Sequence, residues 1–242
     1  MPYVLEVVKA GRTIETRKYY TPRYYSKGEK RRKKSRPTKE EVKRINFRNR
    51  VRKLGWILNE NFGPGDIHLR LSYRREEAPK DKEEMQKIIR LFLEKMRKEY
   101  RRAGKELKYV HVFEIGKRGA RHHHLVMNSI DTKLIRKCWP HGYIHTSLLD
   151  DTGQYSKLAE YMLKFSGRNV GKWTGKSYSK SKNLVIPVPK KRIISGRDMY
   201  REEAVPKKGY YIDQDTVRSG ETIYGYKFFS YIMIELERRK DG

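Results

Sequence analysis

The sequence YVHVFEIGKRGARHHHLVMN, residues 109–128, carries the strongest structural signal in the chain. Two short apolar runs flank Gly116-Lys117-Arg118-Gly119, a glycine-bearing turn sequence. This pattern predicts a β-hairpin with strands at about 108–115 and 121–128.

Three polar side chains of this hairpin are predicted to converge. Side chains alternate between the faces of a strand, so His122 and His124 share one face. In the register that sets Glu114 opposite His122, the carboxylate joins them. Such a mixed set of nitrogen and oxygen ligands suits a divalent ion that keeps open positions for water or substrate. Two alternatives to this site remain. One is a histidine-rich exposed strand without a metal, and the other is the two-histidine, one-carboxylate site of a non-haem iron oxygenase.

The stretch QYSKLAEYMLKFSGR, residues 154–168, has the 3.6-residue period of a helix. Its predicted buried stripe consists of Leu158, Met162 and Phe165, with Tyr161 at the edge and Lys157 and Lys164 just beyond. A tyrosine there can face the sheet while its hydroxyl stays reachable. A phenol is a poor nucleophile at neutral pH because its pKa is about 10, but a metal and a cation would stabilise its oxyanion. The alternative is a core tyrosine beside a lysine that extends to solvent.

Together these residues resemble the HUH endonucleases, the replication initiators and relaxases that nick single-stranded DNA. The family's His-hydrophobe-His motif is matched by His122-His123-His124, and its Tyr-x-x-Lys motif by Tyr161-Met162-Leu163-Lys164. Viral rolling-circle initiators often carry a glutamate about eight residues before the first histidine, and Glu114 fits. The family's middle residue is usually apolar, so His123 departs from the pattern, and strand alternation selects its two neighbours. The resemblance covers roughly residues 66 to 184.

The resemblance implies a compact ferredoxin-like or RRM-like palm. The order helix, strand, helix, hairpin, strand, helix predicts the same α+β class, with an antiparallel sheet, helices packed on one face and the other face open for DNA. Residues 66–73 alternate as a strand where the family typically has Thr-x-Thr, and Arg70 and Ser72 stand at those two positions. His68 could approach the metal, but the alternation favours a polar-face residue. Further expected DNA contacts are Lys157, Arg168, Lys180 and Lys182.

The resemblance also implies an activity. Glu114, His122 and His124 would hold Mg²⁺ or Mn²⁺, and Tyr161 would attack phosphorus to give a 5′-phosphotyrosine and a free 3′-OH, with Lys164 offsetting charge. Such nicking starts rolling-circle replication of a phage, plasmid or virus-like element. A mobilisation relaxase or single-strand transposase shares this chemistry, and a non-catalytic nucleic-acid-binding protein is the alternative from another class.

A single catalytic tyrosine is favoured over two. Tyr155 precedes Tyr161 by six residues. At roughly 100° per residue, it lies about 120° away around the helix. The two-tyrosine initiators of the family space their tyrosines so that both share a face.

Composition points to a nucleic-acid partner. The 242 residues include 58 Lys and Arg against 29 Asp and Glu, a formal net charge of +29. So large a basic excess favours a polyanion, most often nucleic acid. The resemblance to HUH endonucleases implies that this partner is single-stranded DNA at an origin hairpin or nick site, with a host helicase as a further candidate partner. No apolar run is long enough for a transmembrane helix, and no secretory pattern is present. The single Cys138 cannot form an intrachain disulfide and fits the reducing cytoplasm of a bacterial or archaeal host cell.

Charge and pattern divide the chain into three predicted parts. These are a basic N-terminal arm at 1–38, an HUH-type endonuclease domain at 39–170, and a basic C-terminal extension with strand-like segments at 171–242. The basic run at residues 30–34 repels itself and is expected to stay disordered until it meets phosphate. The apolar run at residues 228–234 needs burial: it could extend the sheet, pair with residues 3–8, or bury against a second copy.

Overall fold

The computed structural model describes residues 3–21, 39–116, 119–167, 178–222 and 225–236. The chain divides into two compact units, a central unit (Phe47–Val185) and a terminal unit (Met1–Asn46 with Ile186–Gly242). The predicted domain boundaries, after residues 38 and 170, fall at residues outside the described ranges and stay a prediction. The basic run at 30–34 and Arg168 also lie outside them.

The elements are numbered in chain order. The strands are β1 (Tyr3–Ala10), β2 (Thr13–Tyr20), β3 (Ile67–Ser72), β4 (Tyr109–Ile115), β5 (Arg121–Met127), β6 (Ile144–Leu148), β7 (Ser179–Lys180), β8 (Lys190–Ile194), β9 (Tyr210–Glu221) and β10 (Lys227–Glu235). The helices are α1 (Lys39–Asn61), α2 (Lys82–Arg102), α3 (Thr132–Cys138), α4 (Ser156–Gly167) and α5 (Gly196–Tyr200). Of the helices in the described part of the chain, none has the length and apolarity needed to cross a membrane.

The central unit is built on an antiparallel sheet with strand order β6-β3-β5-β4-β7. The predicted hairpin is confirmed as β4 and β5, and Glu114 stands opposite His122. The predicted α+β class is confirmed as well, with helices packed on antiparallel sheets.

One face of this sheet packs against α2 and α3. The side chain of Asp81 caps α2 by accepting a hydrogen bond from the Glu84 backbone N–H at 2.8 Å, which satisfies a donor that the first turn leaves unpaired. Apolar residues then recur every three or four positions along α2, and Phe92 and Met96 are fully buried in the cluster. Leu125 of β5 belongs to the same cluster, so this face is covered.

The opposite face is covered in part. Val110, Val112 and Val126 are fully buried there with Leu58 of α1 and Met162 of α4. The expectation of helices on one face only therefore differs from the structure, because three valines on the second face also need cover from water. What stays accessible on this face is the part near Arg70, which is exposed.

The terminal unit has its own antiparallel sheet, in the order β8-β1-β2-β10-β9. The apolar run at residues 228–234 lies in β10, which pairs with β2 and β9 rather than with residues 3–8. Phe229 and Met233 are buried in a cluster with Met199 of α5. This packing gives the run the burial that its composition demands.

A buried carboxylate ties three strands of the terminal unit together. Glu6 of β1 is 4% exposed and lies 2.9 Å from Arg17 Nη1 of β2 and 2.9 Å from Lys191 Nζ of β8. The Tyr19 hydroxyl donates to it at 3.1 Å. Burial alone would raise the pKa of Glu6, but Lys191, Arg17 and Tyr19 outweigh burial and the pKa is lowered.

Candidate active site

Strand pairing brings the predicted metal ligands to one face of the central sheet. Arg70 of β3 stands opposite His124 of β5, and Glu114 of β4 stands opposite His122. Directly paired residues point to the same side of an antiparallel sheet. Two imidazoles, a carboxylate and a guanidinium therefore share the second, partly covered face.

His124 and Glu114 are in direct contact. Nε2 of His124 lies 2.5 Å from Oε2 of Glu114, and both residues are buried. Burial lowers the pKa of His124, and although the Glu114 carboxylate opposes this effect, the net direction is down. The imidazole is therefore neutral at pH 7, the form in which histidine binds a metal.

His122 supplies a buried nitrogen that has no hydrogen-bond partner among the described residues. Its Nδ1 is buried and no described residue hydrogen-bonds to it, and burial lowers the pKa of its imidazole, with Glu114 opposing. An unpaired buried polar atom costs free energy unless a ligand satisfies it.

These donors fit a divalent ion in chemical type. They are two neutral imidazoles and a carboxylate on one face, a mixed set that such ions accept. Among the described residues, no three His, Cys, Asp or Glu side chains are already gathered into a metal-binding group. The fit therefore rests on the identity of the donors, the contact of His124 with Glu114 and the unpaired nitrogen of His122.

Tyr161 lies beside these groups. Its ring centroid is 5.6 Å from that of His124 and 6.0 Å from that of His68, and it meets both imidazoles edge-on. Met162 and Leu163 hold α4 in the core, while Tyr161 itself is 41% exposed. An accessible phenol thus stands next to a predicted metal ligand.

His68 has a larger part in the site than sequence reasoning assigned to it. Its ring stacks on that of His124, with Nε2 3.4 Å from Nδ1 of His124, and its own Nδ1 is 3.4 Å from Oγ of Ser147. Burial, reinforced by His124, His145 and Arg70, lowers the pKa of His68 to about 4. A chain of polar groups thus runs from Glu114 through two neutral imidazoles to a hydroxyl. The alternation of β3 placed His68 on this face, but only the strand order reveals its neighbours.

Three of the expected DNA-contacting residues, Arg70, Ser72 and Lys180, lie on this face by strand register. Lys180 stands opposite Val110, and so on the same face as Glu114. The Ser72 hydroxyl donates to the Tyr143 carbonyl at 3.2 Å. The exposed members of the set are Arg70, Lys157 and Lys182. Their contacts with DNA stay predictions.

Tyr155 is oriented differently from Tyr161. It is 3% exposed and packs in the core with α1. Its hydroxyl donates to the Asp150 carbonyl at 2.8 Å, and its backbone N–H donates to Asn59 Oδ1 at 2.8 Å. A buried, hydrogen-bonded hydroxyl is poorly placed to meet a DNA phosphate.

His123 points to the opposite face of β5, where it belongs to a hydrogen-bond chain whose two central members, His111 and His123, are buried. Nδ1 of His123 is 3.0 Å from Nε2 of His111, and Nδ1 of His111 is 3.1 Å from Oγ of Ser179. Nε2 of His123 is hydrogen-bonded to the Tyr73 hydroxyl. Burial lowers the pKa of His111 to about 3 and that of His123 well below its ordinary value. The middle histidine is thus engaged away from the site, in agreement with strand alternation.

The fold and the site together define a class of protein: a strongly basic α+β protein whose antiparallel sheet presents imidazoles, a carboxylate and an accessible tyrosine on one face. Residues 67–166 match the model of a family described as Replication-associated protein ORF2/G2P. The matched stretch runs from the first residue of β3 into α4 and contains Glu114, His122, His124 and Tyr161. The predicted resemblance to replication-associated (Rep) proteins is confirmed by this match. No curated protein and no solved structure gives a significant match.

Proposed function

We propose that this chain is a metal-dependent single-stranded DNA endonuclease. It nicks a replication origin through a 5′-phosphotyrosine intermediate and so initiates rolling-circle replication. One observation carries the proposal: the ring centroid of the accessible Tyr161 lies 5.6 Å from that of His124, and His124 in turn is hydrogen-bonded to Glu114. The family match over residues 67–166 supports the link to replication.

Glu114, His122 and His124 are the residues that would hold Mg²⁺ or Mn²⁺. When bound, the ion would polarise the scissile phosphate. Burial keeps both imidazoles neutral, so each retains a nitrogen lone pair at pH 7. The buried Nδ1 of His122, which has no described partner, supports the assignment.

Tyr161 is the proposed nucleophile. Its phenolic oxygen forms a bond to phosphorus, and its proton passes to solvent. The bond from phosphorus to the 3′ oxygen breaks, and that oxygen takes a proton from water to become the 3′-OH. Because the phosphotyrosine conserves the energy of the cleaved bond, the 3′-OH can later reverse the step and join strands. Lys164, exposed one helical turn beyond Tyr161, is placed to offset charge on the phosphate.

The test is a covalent-adduct assay. The full chain is incubated with labelled single-stranded DNA spanning its own replicon and Mn²⁺, then run on a denaturing gel. A protein–DNA band should form, require metal, vanish in Tyr161→Phe, and persist in the matched control Tyr155→Phe, whose hydroxyl is buried.

Other outcomes separate the alternatives. A band that survives Tyr161→Phe but is lost in Tyr155→Phe would refute the nucleophile and keep the class of enzyme. Binding without any adduct, across origin-derived sequences and metals, would refute the nuclease and favour a non-catalytic DNA-binding protein. Adducts that lead only to strand transfer between molecules would favour a relaxase or transposase, which share the chemistry.

A further inference from the structure

An exposed aromatic side chain stands at the edge of the sheet that carries the candidate site. β6 is the edge strand beside β3, and Arg70 stands opposite His145 in their pairing. The Ser72 backbone N–H donates to the Tyr143 carbonyl at 3.0 Å, which extends the pairing beyond the strand. By this register Tyr143 lies opposite Ser72, on the face of Arg70 and the predicted metal ligands. It is 74% exposed.

The backbone under this ring is held tightly. A Cβ added to Gly142 would lie 2.4 Å from the Ser72 carbonyl oxygen and 2.8 Å from the Arg74 backbone nitrogen, so only glycine allows this close approach. The indole N–H of Trp139 donates to the same Ser72 carbonyl at 3.1 Å. A ring that is open to solvent on a fixed backbone can bind a planar ligand at a small ordering cost.

The surroundings of Tyr143 favour a phosphate-bearing ligand. The side chains that β3 and β6 present on this face are His68, Arg70, Ser72, His145 and Ser147, and none of them carries a negative charge. Arg70 is exposed and can contact a phosphate. An accessible aromatic ring beside a cation is the combination with which proteins hold unpaired nucleotides.

We propose that Tyr143 is a base-stacking subsite for one unpaired nucleotide of the DNA strand, with Arg70 on a flanking phosphate. The subsite lies on the β6 side of the proposed nucleophile Tyr161, and the inference rests on the proposed function. Stacking uses the face of the base, so the subsite tolerates any sequence. It requires a single strand, because the base faces of a duplex are covered by their neighbours.

The test measures binding without cleavage. Affinity of the full chain for a short fluorescent single-stranded oligonucleotide from its replicon is measured by anisotropy with EDTA present. Tyr143→Leu should weaken binding about tenfold, whereas Tyr143→Phe, which keeps the ring, should bind like the wild type. Tyr211→Leu is the matched control, since Tyr211 is also exposed, at 44%, but lies in the terminal unit. Affinity for the corresponding duplex should not respond to Tyr143→Leu.

Several results would overturn the subsite. Equal single-strand affinities for the wild type and Tyr143→Leu would do so, and so would an equal loss in Tyr143→Leu and Tyr143→Phe, which would assign the effect to the hydroxyl. The covalent-adduct assay separates the two proposals. An adduct that forms while Tyr143→Leu binds normally refutes the subsite alone. A Tyr143-dependent affinity without any adduct refutes the nuclease alone. A wild type that shows neither single-strand affinity nor an adduct refutes both.

Discussion

The buried pair His111 and His123 should make the central unit sensitive to acid. Burial lowers the pKa of His111 to about 3, against about 6.5 in an unfolded chain. As pH falls below 6.5, His111 binds a proton in the unfolded chain but stays neutral in the folded chain. The stability that neutral His111 confers is therefore complete above pH 6.5 and is lost progressively down to about pH 3.

The size of the effect follows from these two pKa values. Between pH 8 and pH 5, one group that titrates at 6.5 unfolded and about 3 folded lowers the free energy of unfolding by about 2 kcal/mol. His111→Gln removes this titration and leaves an amide that can bond to Ser179 or His123. Between pH 8 and pH 5, the free energy of unfolding of the wild type should therefore fall by about 2 kcal/mol more than that of His111→Gln.

Urea denaturation followed by tryptophan fluorescence measures this difference. Trp56 and Trp139 are buried in the central unit, so their fluorescence follows its unfolding. His145→Gln is the control, because His145 is exposed on the edge strand. Parallel stability curves for the wild type and His111→Gln across this pH range would refute the reasoning.

Three further substitutions test other parts of the structure. His68→Ala should weaken Mn²⁺ binding by about tenfold or more, because a group that orients the proposed ligand His124 is lost. His68→Gln should recover much of this affinity; three equal affinities by calorimetry would contradict the prediction. Gly142→Ala should cost about 1–3 kcal/mol of stability in urea, because the new methyl group would overlap the Ser72 carbonyl; an unchanged midpoint would count against it. Glu6→Gln should cost the terminal unit about 2 kcal/mol near pH 7, less than a fully buried pair would lose because Lys191 is partly exposed. That cost should show as faster amide exchange in β1 and β2. It should shrink only as pH falls below about 4.5, the pKa of an unfolded glutamate, because the pKa of Glu6 is lowered in the fold. Exchange rates that match the wild type would refute it.

The hairpin and its register could be predicted because a strand has a period of two. Once the turn at residues 116–119 is fixed, the period decides which face Glu114, His122 and His124 share. The position of Tyr161 at the edge of a helical stripe follows from the period of 3.6 in the same way. These are local patterns, which a single sequence carries.

The rest depends on which strands become neighbours, and local patterns do not contain that information. His68 meets His124 and Ser147 only because β3 lies between β5 and β6. Leu58 of α1 covers the second face of the sheet, and no local pattern in the sequence shows which face that is. In the same way β2 reads as a basic segment, and its partner β10 comes from the far end of the chain.

The hydrogen-bond chain behind the site has an evolutionary consequence. An apolar residue at position 123, as HUH endonucleases usually have, would leave the buried Nε2 of His111 and the partly buried Tyr73 hydroxyl without their partner. Each loss is costly by itself, whereas the joint replacement of all three by apolar residues would be tolerated much better. Positions 73, 111 and 123 should therefore change together among related sequences, while positions 122 and 124 stay histidine in either background.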